Sequence, residues 1–378
     1  MARKKRYNDM SEAAARLVPA PRLPYEPPRP KKYNPPIGLI GCGGISGSHL
    51  AAYQAMGLNV VALCDLIPER AESRRKEFFP AAQTYTDFEQ LLNRDDIEVV
   101  DIATHPQDRE YLIPAALKAR KHVLSQKPFV MNLDLGERFA ELAAKRGVTL
   151  AVNQNGRWSP HFSWVRHAAL EGLIGEVSAV HFNCHWSHEW IADTHFNRVH
   201  HIILYDYGIH WFDAVASLLP DRTPLRVFST LSHAPGQRAR PPLLGQSLIE
   251  FEGGGCASLV FDGAAKFGAK DDGYVLGTAG TLRFDGPSLT EHTVTLVNKK
   301  GKAVPELKGQ WFREGFMGSM GELLQAIEQK RTPVNNPADN LRGLAMCFAA
   351  VVSAESRKPE VVGKVRKAPA KTCCVAPE

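Results

Sequence analysis

The run Ile37-Gly-Leu-Ile-Gly41-Cys-Gly43-Gly44-Ile45-Ser46-Gly47 constrains this chain more than any other segment. An apolar strand leads directly into Gly41, Gly43 and a small Ser46, the Gly-x-Gly-x-x-small spacing of a dinucleotide turn. Gly41 permits the tight turn, Gly43 lets a phosphate approach the backbone, and Ser46 lets the next helix pack closely on the sheet. With Gly44 and Ile45 completing the turn, a pyrophosphate would sit at the positive end of that helix. A second apolar run, Val60 to Cys64, ends in Asp65. That is about the twenty-residue offset at which a carboxylate accepts hydrogen bonds from both ribose hydroxyls. Its charge favours NAD over NADP, whose 2′-phosphate it would repel, while Arg70 lies near enough to keep NADP open.

The pattern around this unit indicates an α/β chain. Short apolar runs at Val99 to Ala103, His122 to Leu124 and Thr149 to Val152 alternate with helical stretches such as Pro68 to Phe78, Arg109 to Ala119 and Leu133 to Lys145. Strands separated by helices of this length imply right-handed crossovers and a doubly wound parallel sheet over residues 37–158. After about Pro160 strands follow one another, from Val177 to Trp186 through Thr293 to Val297. Residues 159–360 therefore read as an α+β domain with a mostly antiparallel open sheet, covered by helices at about His161 to Leu170, Tyr207 to Leu218, Phe316 to Gln329 and Asn340 to Ser356. Residues 1–36 are basic and then proline-dense, and they read as an arm or linker that could cross a neighbouring subunit. Residues 361–378 read as a basic tail.

Charge and cysteine usage narrow the function. The net charge is +6, but much of it sits in residues 2–6, 29–32 and 364–371, which leaves the middle nearly neutral and gives nucleic-acid binding little support. The seven cysteines show neither metal spacing nor a disulfide framework, which suits reduced thiols in the cytoplasm, with Cys373-Cys374 as exposed thiols of the tail. No apolar run of signal-peptide or membrane-spanning character appears.

Three ordered segments resemble the Gfo/Idh/MocA family of glucose-fructose oxidoreductase and inositol dehydrogenase type. They are Gly41 to Asp65, Ala119-Arg-Lys-His122-Val-Leu-Ser-Gln126-Lys127-Pro128, and Leu204-Tyr-Asp206-Tyr-Gly-Ile-His210-Trp-Phe-Asp213. The resemblance implies an oxidoreductase that uses NAD and acts on a carbohydrate or polyol, working as a homodimer or homotetramer. It implies catalytic roles for Lys127, Asp206 and His210, and a cis bond before Pro128. Spacing supports the pair: residues four apart share a helix face, so Asp206 would orient His210 as a general base, with Asp213 a turn further on. Gln126 replaces the family's usual glutamate, so Lys127 loses a nearby negative charge. Thr104-His105-Pro106, with Arg109 beyond, departs from the family's usual loop under the nicotinamide, so Thr104 and His105 are cofactor contacts by position only.

On the substrate side, Gln126, Lys127 and Gln154 are read as cofactor contacts, while Asn155, Arg157 and Trp158 offer planar polar groups and an aromatic platform to a sugar. The stretch His181 to His201 is rich in imidazoles. Read as a strand, it places His181, Asn183 and His185 on one face, facing a pocket, an interface or water. His188, His195 and His201 are read as substrate contacts. No strict ligand spacing appears, so no metal is assigned. Three functions remain open at this point: net oxidation of a secondary alcohol by NAD, transient oxidation with retained NAD in glycoside cleavage or epimerisation, and a non-catalytic nucleotide-sensing or interaction protein.

Overall fold

A computed structural model of the chain describes residues 16–372. The first half is a parallel sheet of six strands in the order β3-β2-β1-β4-β5-β6. Its strands are β1 (Ile37–Ile40), β2 (Val60–Cys64), β3 (Gln83–Tyr85), β4 (Val99–Ile102), β5 (His122–Gln126) and β6 (Leu150–Asn153). Helices α1 (Ser46–Met56), α2 (Pro68–Phe78), α3 (Phe88–Leu92), α4 (Pro106–Lys118) and α5 (Leu133–Arg146) alternate with them. The strand order reverses between β1 and β4, which opens the crevice where such folds bind dinucleotides. Local chemistry sets the helix ends: Gly57 closes α1 at φ +70°, and Asn132 caps α5 by accepting from the Asp134 N–H at 2.9 Å.

A 3-10 turn at Asn155–Trp158 crosses to the second unit, which comprises α6 (Pro160–Leu170), β7 (Val177–His185), α7 (Ile209–Leu218), β8 (Pro224–Ser232), β9 (Leu244–Phe251), β10 (Cys256–Asp262), β11 (Lys270–Gly277), β12 (Gly280–Ser288), β13 (Glu291–Asn298), β14 (Gly301–Ala303), α8 (Trp311–Glu328), α9 (Pro337–Ser356) and β15 (Glu360–Val361). The nine strands lie in the order β14-β13-β12-β11-β7-β10-β9-β8-β15. Only β7 and β10 pair in parallel. Strict alternation turns Ala257, Leu259 and Phe261 of β10 inward, where they join one core with α6, α7 and α9.

Three sequence-derived boundaries change. Helix α8, placed by periodicity in the second unit, packs Phe316, Met317, Met320, Leu323 and Leu324 into the core of the first sheet with Leu39, Leu50 and Tyr53. Burial of each such side chain contributes about 1.5–3 kcal/mol, so α8, though it follows the second sheet in the chain, also covers the first. Residues 16–36 are no free linker, because they pack on the body of their own chain. Leu23 is buried, Val18 N–H donates to Lys302 O at 2.9 Å, and Glu328 accepts from the backbone N–H groups of Lys31, Lys32 and Tyr33. The segment 361–372 likewise folds back: Leu133 N–H donates to Arg366 O, and Arg366 pairs with Asp134 and Glu137. The basic start at 2–6 and Cys373-Cys374 lie outside the described residues.

Candidate active site

The glycine turn carries one strained position and two open ones. Gly41 sits at φ +98°, and a Cβ there would lie 2.8 Å from Thr104 Cγ2 and 3.0 Å from the Ala103 carbonyl carbon. At Gly43 and Gly44 a Cβ would meet nothing within 4 Å, so this part of the turn opens onto space rather than onto protein. Ser46 is fully buried and donates to Gly43 O at 2.6 Å. Asp65 accepts from the Cys42 N–H at 2.7 Å and the Ile67 N–H at 2.9 Å, which anchors the carboxylate beside the turn with oxygen lone pairs to spare. Arg70 is exposed. The arginine that crosses the turn is Arg74, which sequence reading missed: its guanidinium donates to Ser46 Oγ at 3.1 Å and to Gly43 O at 3.3 Å.

At the carboxyl end of β5, a fully buried network fixes Gln126. Asp101 accepts from Tyr53 Oη at 2.6 Å and meets His49 Nδ1 at 2.7 Å. His49 Nε2 in turn faces Gln126 Nε2 at 3.0 Å and Asn153 Nδ2 at 3.2 Å. Gln126 Oε1 accepts the Lys127 backbone N–H at 2.7 Å. The side chain of Gln126 is thus buried in a structural chain of hydrogen bonds rather than directed at a cofactor. An amide suits that place because its NH2 group can donate to a ring nitrogen while its oxygen accepts a backbone N–H. The peptide bond before Pro128 is cis.

Lys127 projects onto the helical segment that carries Asp206 and His210. Its Nζ donates to Asp206 O at 2.8 Å and lies 3.4 Å from Asp206 Oδ1. The two acidic and basic helix positions do not meet as an i, i+4 pair. A π-helical turn at Ile203–Tyr207, closed by Gly208 N–H to Ile203 O at 2.8 Å, changes the register before α7 begins. Asp206 therefore holds Lys127, and His210 Nδ1 is buried with no hydrogen-bond partner among the described residues. Burial, and then the Lys127 cation, push the His210 pKa well below its ordinary value, so the imidazole is neutral. Gly156 and Trp311 wall it in: a Cβ on Gly156 would stand 3.5 Å from His210 Nδ1, and the Trp311 ring centroid is 5.3 Å from that of His210. Neither residue was singled out from sequence.

The remaining assignments divide. Both side-chain polar atoms of Gln154 are buried without a partner at the end of β6, next to β5. The other crossover residues are already engaged. Asn155 Oδ1 accepts Trp311 Nε1 at 3.2 Å, and Trp158 is buried against Gly318 of α8. Arg157 makes a bidentate pair with Asp213 at 2.6 and 2.7 Å, meets Asp339 Oδ2 at 2.6 Å and donates to Val334 O at 2.5 Å. Their sequence reading as sugar contacts is corrected accordingly: these groups tie the crossover to α7, α8 and α9, and Asp213 faces Arg157 rather than the cleft.

His201 is also removed from the cleft, being fully buried with Nδ1 on Thr372 Oγ1 at 3.1 Å and Nε2 3.2 Å from Glu355. His195, by contrast, meets His105 edge to face with ring centroids 5.2 Å apart. Burial, then His105, lower its pKa, while Asp206 raises it. His188 packs at 4.2 Å from the Tyr207 ring, and burial pushes its pKa down to about 4. His181, Asn183 and His185 face the outer side of the sheet, bonded to Ser258, Asp272 and Asp262.

Two family models match. "Oxidoreductase family, NAD-binding Rossmann fold" covers residues 36–154, and "GFO/IDH/MocA C-terminal domain" covers residues 162–283. Among curated relatives, the D-apiose dehydrogenase of Paraburkholderia graminis is 32% identical over 190 residues, half of each chain. The myo-inositol 2-dehydrogenase of Thermotoga maritima is 22% identical over 86% of this chain and 99% of its own. Among solved structures, scyllo-inositol dehydrogenase from Lactobacillus casei, with bound NAD(H) and scyllo-inositol, superposes with a TM-score of 0.73 at 20% identity, covering 88% of this chain and 100% of that one. At that identity the likeness shows a shared fold. The chain spans about half the length of the first curated relatives it matches. Among the described residues no helix is long and apolar enough to cross a membrane.

Proposed function

The chain belongs to the Gfo/Idh/MocA family of oxidoreductases, and from that membership we propose that it oxidises a secondary alcohol of a sugar, glycoside or cyclic polyol with NAD. The observation that carries the reading is a Lys127 ammonium held by Asp206, together with a buried His210 imidazole that burial and then that cation keep neutral.

The residues present fit the cofactor. Gly43 and Gly44 leave open space for phosphates, Asp65 offers a carboxylate to a ribose, and Gln154 holds an unpartnered amide that complements a carboxamide. Bound NAD would supply the hydride acceptor. Within the cleft, the substrate hydroxyl would lie between Lys127 Nζ and His210. Since Nδ1 of His210 is buried, Nε2 is the ring nitrogen left to take the hydroxyl proton. Lys127 would stabilise the developing alkoxide, with Asp206 fixing its position. His195, edge to face with His105, would offer its ring to a further hydroxyl of the substrate.

A screen of sugars and polyols with NAD and NADP, following absorbance of the reduced cofactor, tests the proposal. Turnover with at least one such alcohol, lost in His210→Ala, is the expected result. Failure of every alcohol to reduce cofactor, in protein that binds NAD, would sink it. We also infer a homodimer or homotetramer in a cytoplasmic setting. Phe228 and Leu248 are register partners on the outer sheet face and are 38% and 57% exposed, with Tyr274 further along, and the five described cysteines are free. Light scattering that returns a monomer would remove the oligomer.

A further inference from the structure

On the inner face of the second sheet, two polar side chains stand where alternation calls for apolar ones. The inward positions are Gly273 and Val275 of β11, Leu282 and Phe284 of β12, and Val294 and Leu296 of β13, and the same three columns continue into Asp271, Gly286 and His292. Asp271 is the register partner of Gly286. Because Gly286 has no side chain, Asp271 and His292 meet across the intervening strand, with His292 Nε2 2.9 Å from Asp271 Oδ2. Any Cβ at Gly286 would collide with the Glu291 carbonyl.

A third group closes the cluster from above. His161, in the first turn of α6, stacks on His292 with centroids 3.6 Å apart at 24°. Its Nδ1 lies 2.9 Å from Ser159 Oγ, while its Nε2 is buried without a partner, as is Asp271 Oδ1. His161 is 2% exposed and Asp271 is fully buried. An orphaned buried polar atom carries an uncompensated desolvation cost unless something satisfies it. One potential ligand atom from each of the three residues lies within 4.8 Å of the others.

We propose that His161, Asp271 and His292 bind one late first-row divalent cation, zinc foremost, at a site separate from the cofactor cleft. Two imidazole nitrogens and a carboxylate oxygen form a three-ligand donor set suited to that ion. Ligands at about 2.0–2.2 Å in tetrahedral geometry stand about 3.3–3.5 Å apart. The His292–Asp271 contact opens slightly to reach that spacing, and the widest separation closes by side-chain rotation. The metal replaces the proton shared between His292 and Asp271, which leaves to solvent, and Ser159 fixes His161 so that Nε2 is its ligand atom. The fourth position faces a recess of about 30 Å³ lined by Ser159, Thr290 and Leu307, room for about one water. Beyond it His292 also borders a larger cavity of about 750 Å³. Trp311 stands between this cluster and His210, with ring centroids 6.3 Å from His161 and 5.3 Å from His210. The His-rich stretch 181–201, where sequence alone would look for a metal, contributes no ligand to the cluster.

The test uses the purified full chain, stripped with chelator, reloaded with Zn²⁺ for elemental analysis and titrated with Co²⁺ by visible absorption. One saturable equivalent per chain is expected. His161→Phe keeps the ring stack but removes both nitrogens, and Asp271→Asn removes the anion. Each should weaken Co²⁺ binding by about a hundredfold or more, while His195→Ala leaves it unchanged. Absence of a saturable equivalent in the wild type, wild-type affinity in His161→Phe, or loss of binding in His195→Ala overturns the proposal. Should His161→Phe fail to fold, Asp271→Asn and the wild-type stoichiometry decide the matter. Metal binding is read without turnover, so this proposal and the dehydrogenase reading fail separately.

Discussion

Arg157→Met distinguishes a structural clamp from a sugar contact. The substitution keeps the unbranched stem and removes the cation, leaving the Asp213 carboxylate 2% exposed without the donors that reach it at 2.6 and 2.7 Å. Removing one side of a buried pair costs about 3–5 kcal/mol. For 378 residues unfolding as one unit, the unfolding entropy is about 0.8 kcal/mol/K, so the midpoint should fall by about 4–6 °C. The loss also depends on pH. Burial already pushes the Asp213 carboxyl up against the pull of Arg157, and without that pull it rises further. A carboxyl with a higher pKa folded than unfolded takes up protons on folding. The deficit of the variant is therefore small below about pH 4 and grows as pH rises through the folded value. Replacing both partners, in Arg157→Met/Asp213→Leu, should recover most of the stability. Calorimetry at pH 5 and pH 8 measures each quantity. A variant whose midpoint stays within about 1 °C at pH 8, while KM for the alcohol rises more than about tenfold, would refute the clamp and return Arg157 to the substrate.

Three further outcomes are expected. Lys127→Met should lower kcat/KM by about 10²–10⁴-fold. It should also move the acidic limb of the residual pH profile upward, because removing the cation relieves one of the two influences that hold the His210 pKa down; an unmoved limb would separate the two residues. Asp65→Ala removes the acceptor of two backbone N–H groups as well as the ribose partner. It should raise KM for NAD by about tenfold or more while relaxing discrimination against NADP, and unchanged cofactor preference by steady-state kinetics would remove Asp65 from that role. Gly41→Ala forces a side chain into φ +98° against Thr104 and the Ala103 backbone. A loss of about 1–3 kcal/mol by denaturant titration, with NAD binding weakened, is expected; a neutral substitution would show that the turn tolerates a side chain.

The nucleotide half was legible because each of its devices is local. A glycine turn, a small helix residue and an acid after the second strand are sequence neighbours whose backbone needs depend little on the rest of the chain. Lys127 was placed in the same way, at the carboxyl end of a buried strand. Some signals were present but not used. Asp101 stands inside the apolar run Val99-Val-Asp-Ile, and His49 and Tyr53 lie four apart on the buried side of α1. A charge in a buried strand needs a partner, and these two supply it.

By itself, then, the sequence determined a strand-turn-helix unit, the alternation of α and β that makes a doubly wound sheet, and the residue types able to perform the chemistry. Tertiary structure alone decided which side chains were available for it. Asp206 and His210 look paired at i, i+4, but the π turn at Ile203–Tyr207 gives Asp206 to Lys127. Arg157 and Trp158 look like sugar contacts, but Asp213, Asp339 and α8 claim them from positions distant in sequence. His161, Asp271 and His292 lie on three separate elements and meet only because β11 and β13 flank a glycine on β12. Spacing along a chain fixes what can share a face; long-range packing determines what stands opposite that face, and a polar group takes whichever partner lies within hydrogen-bond reach.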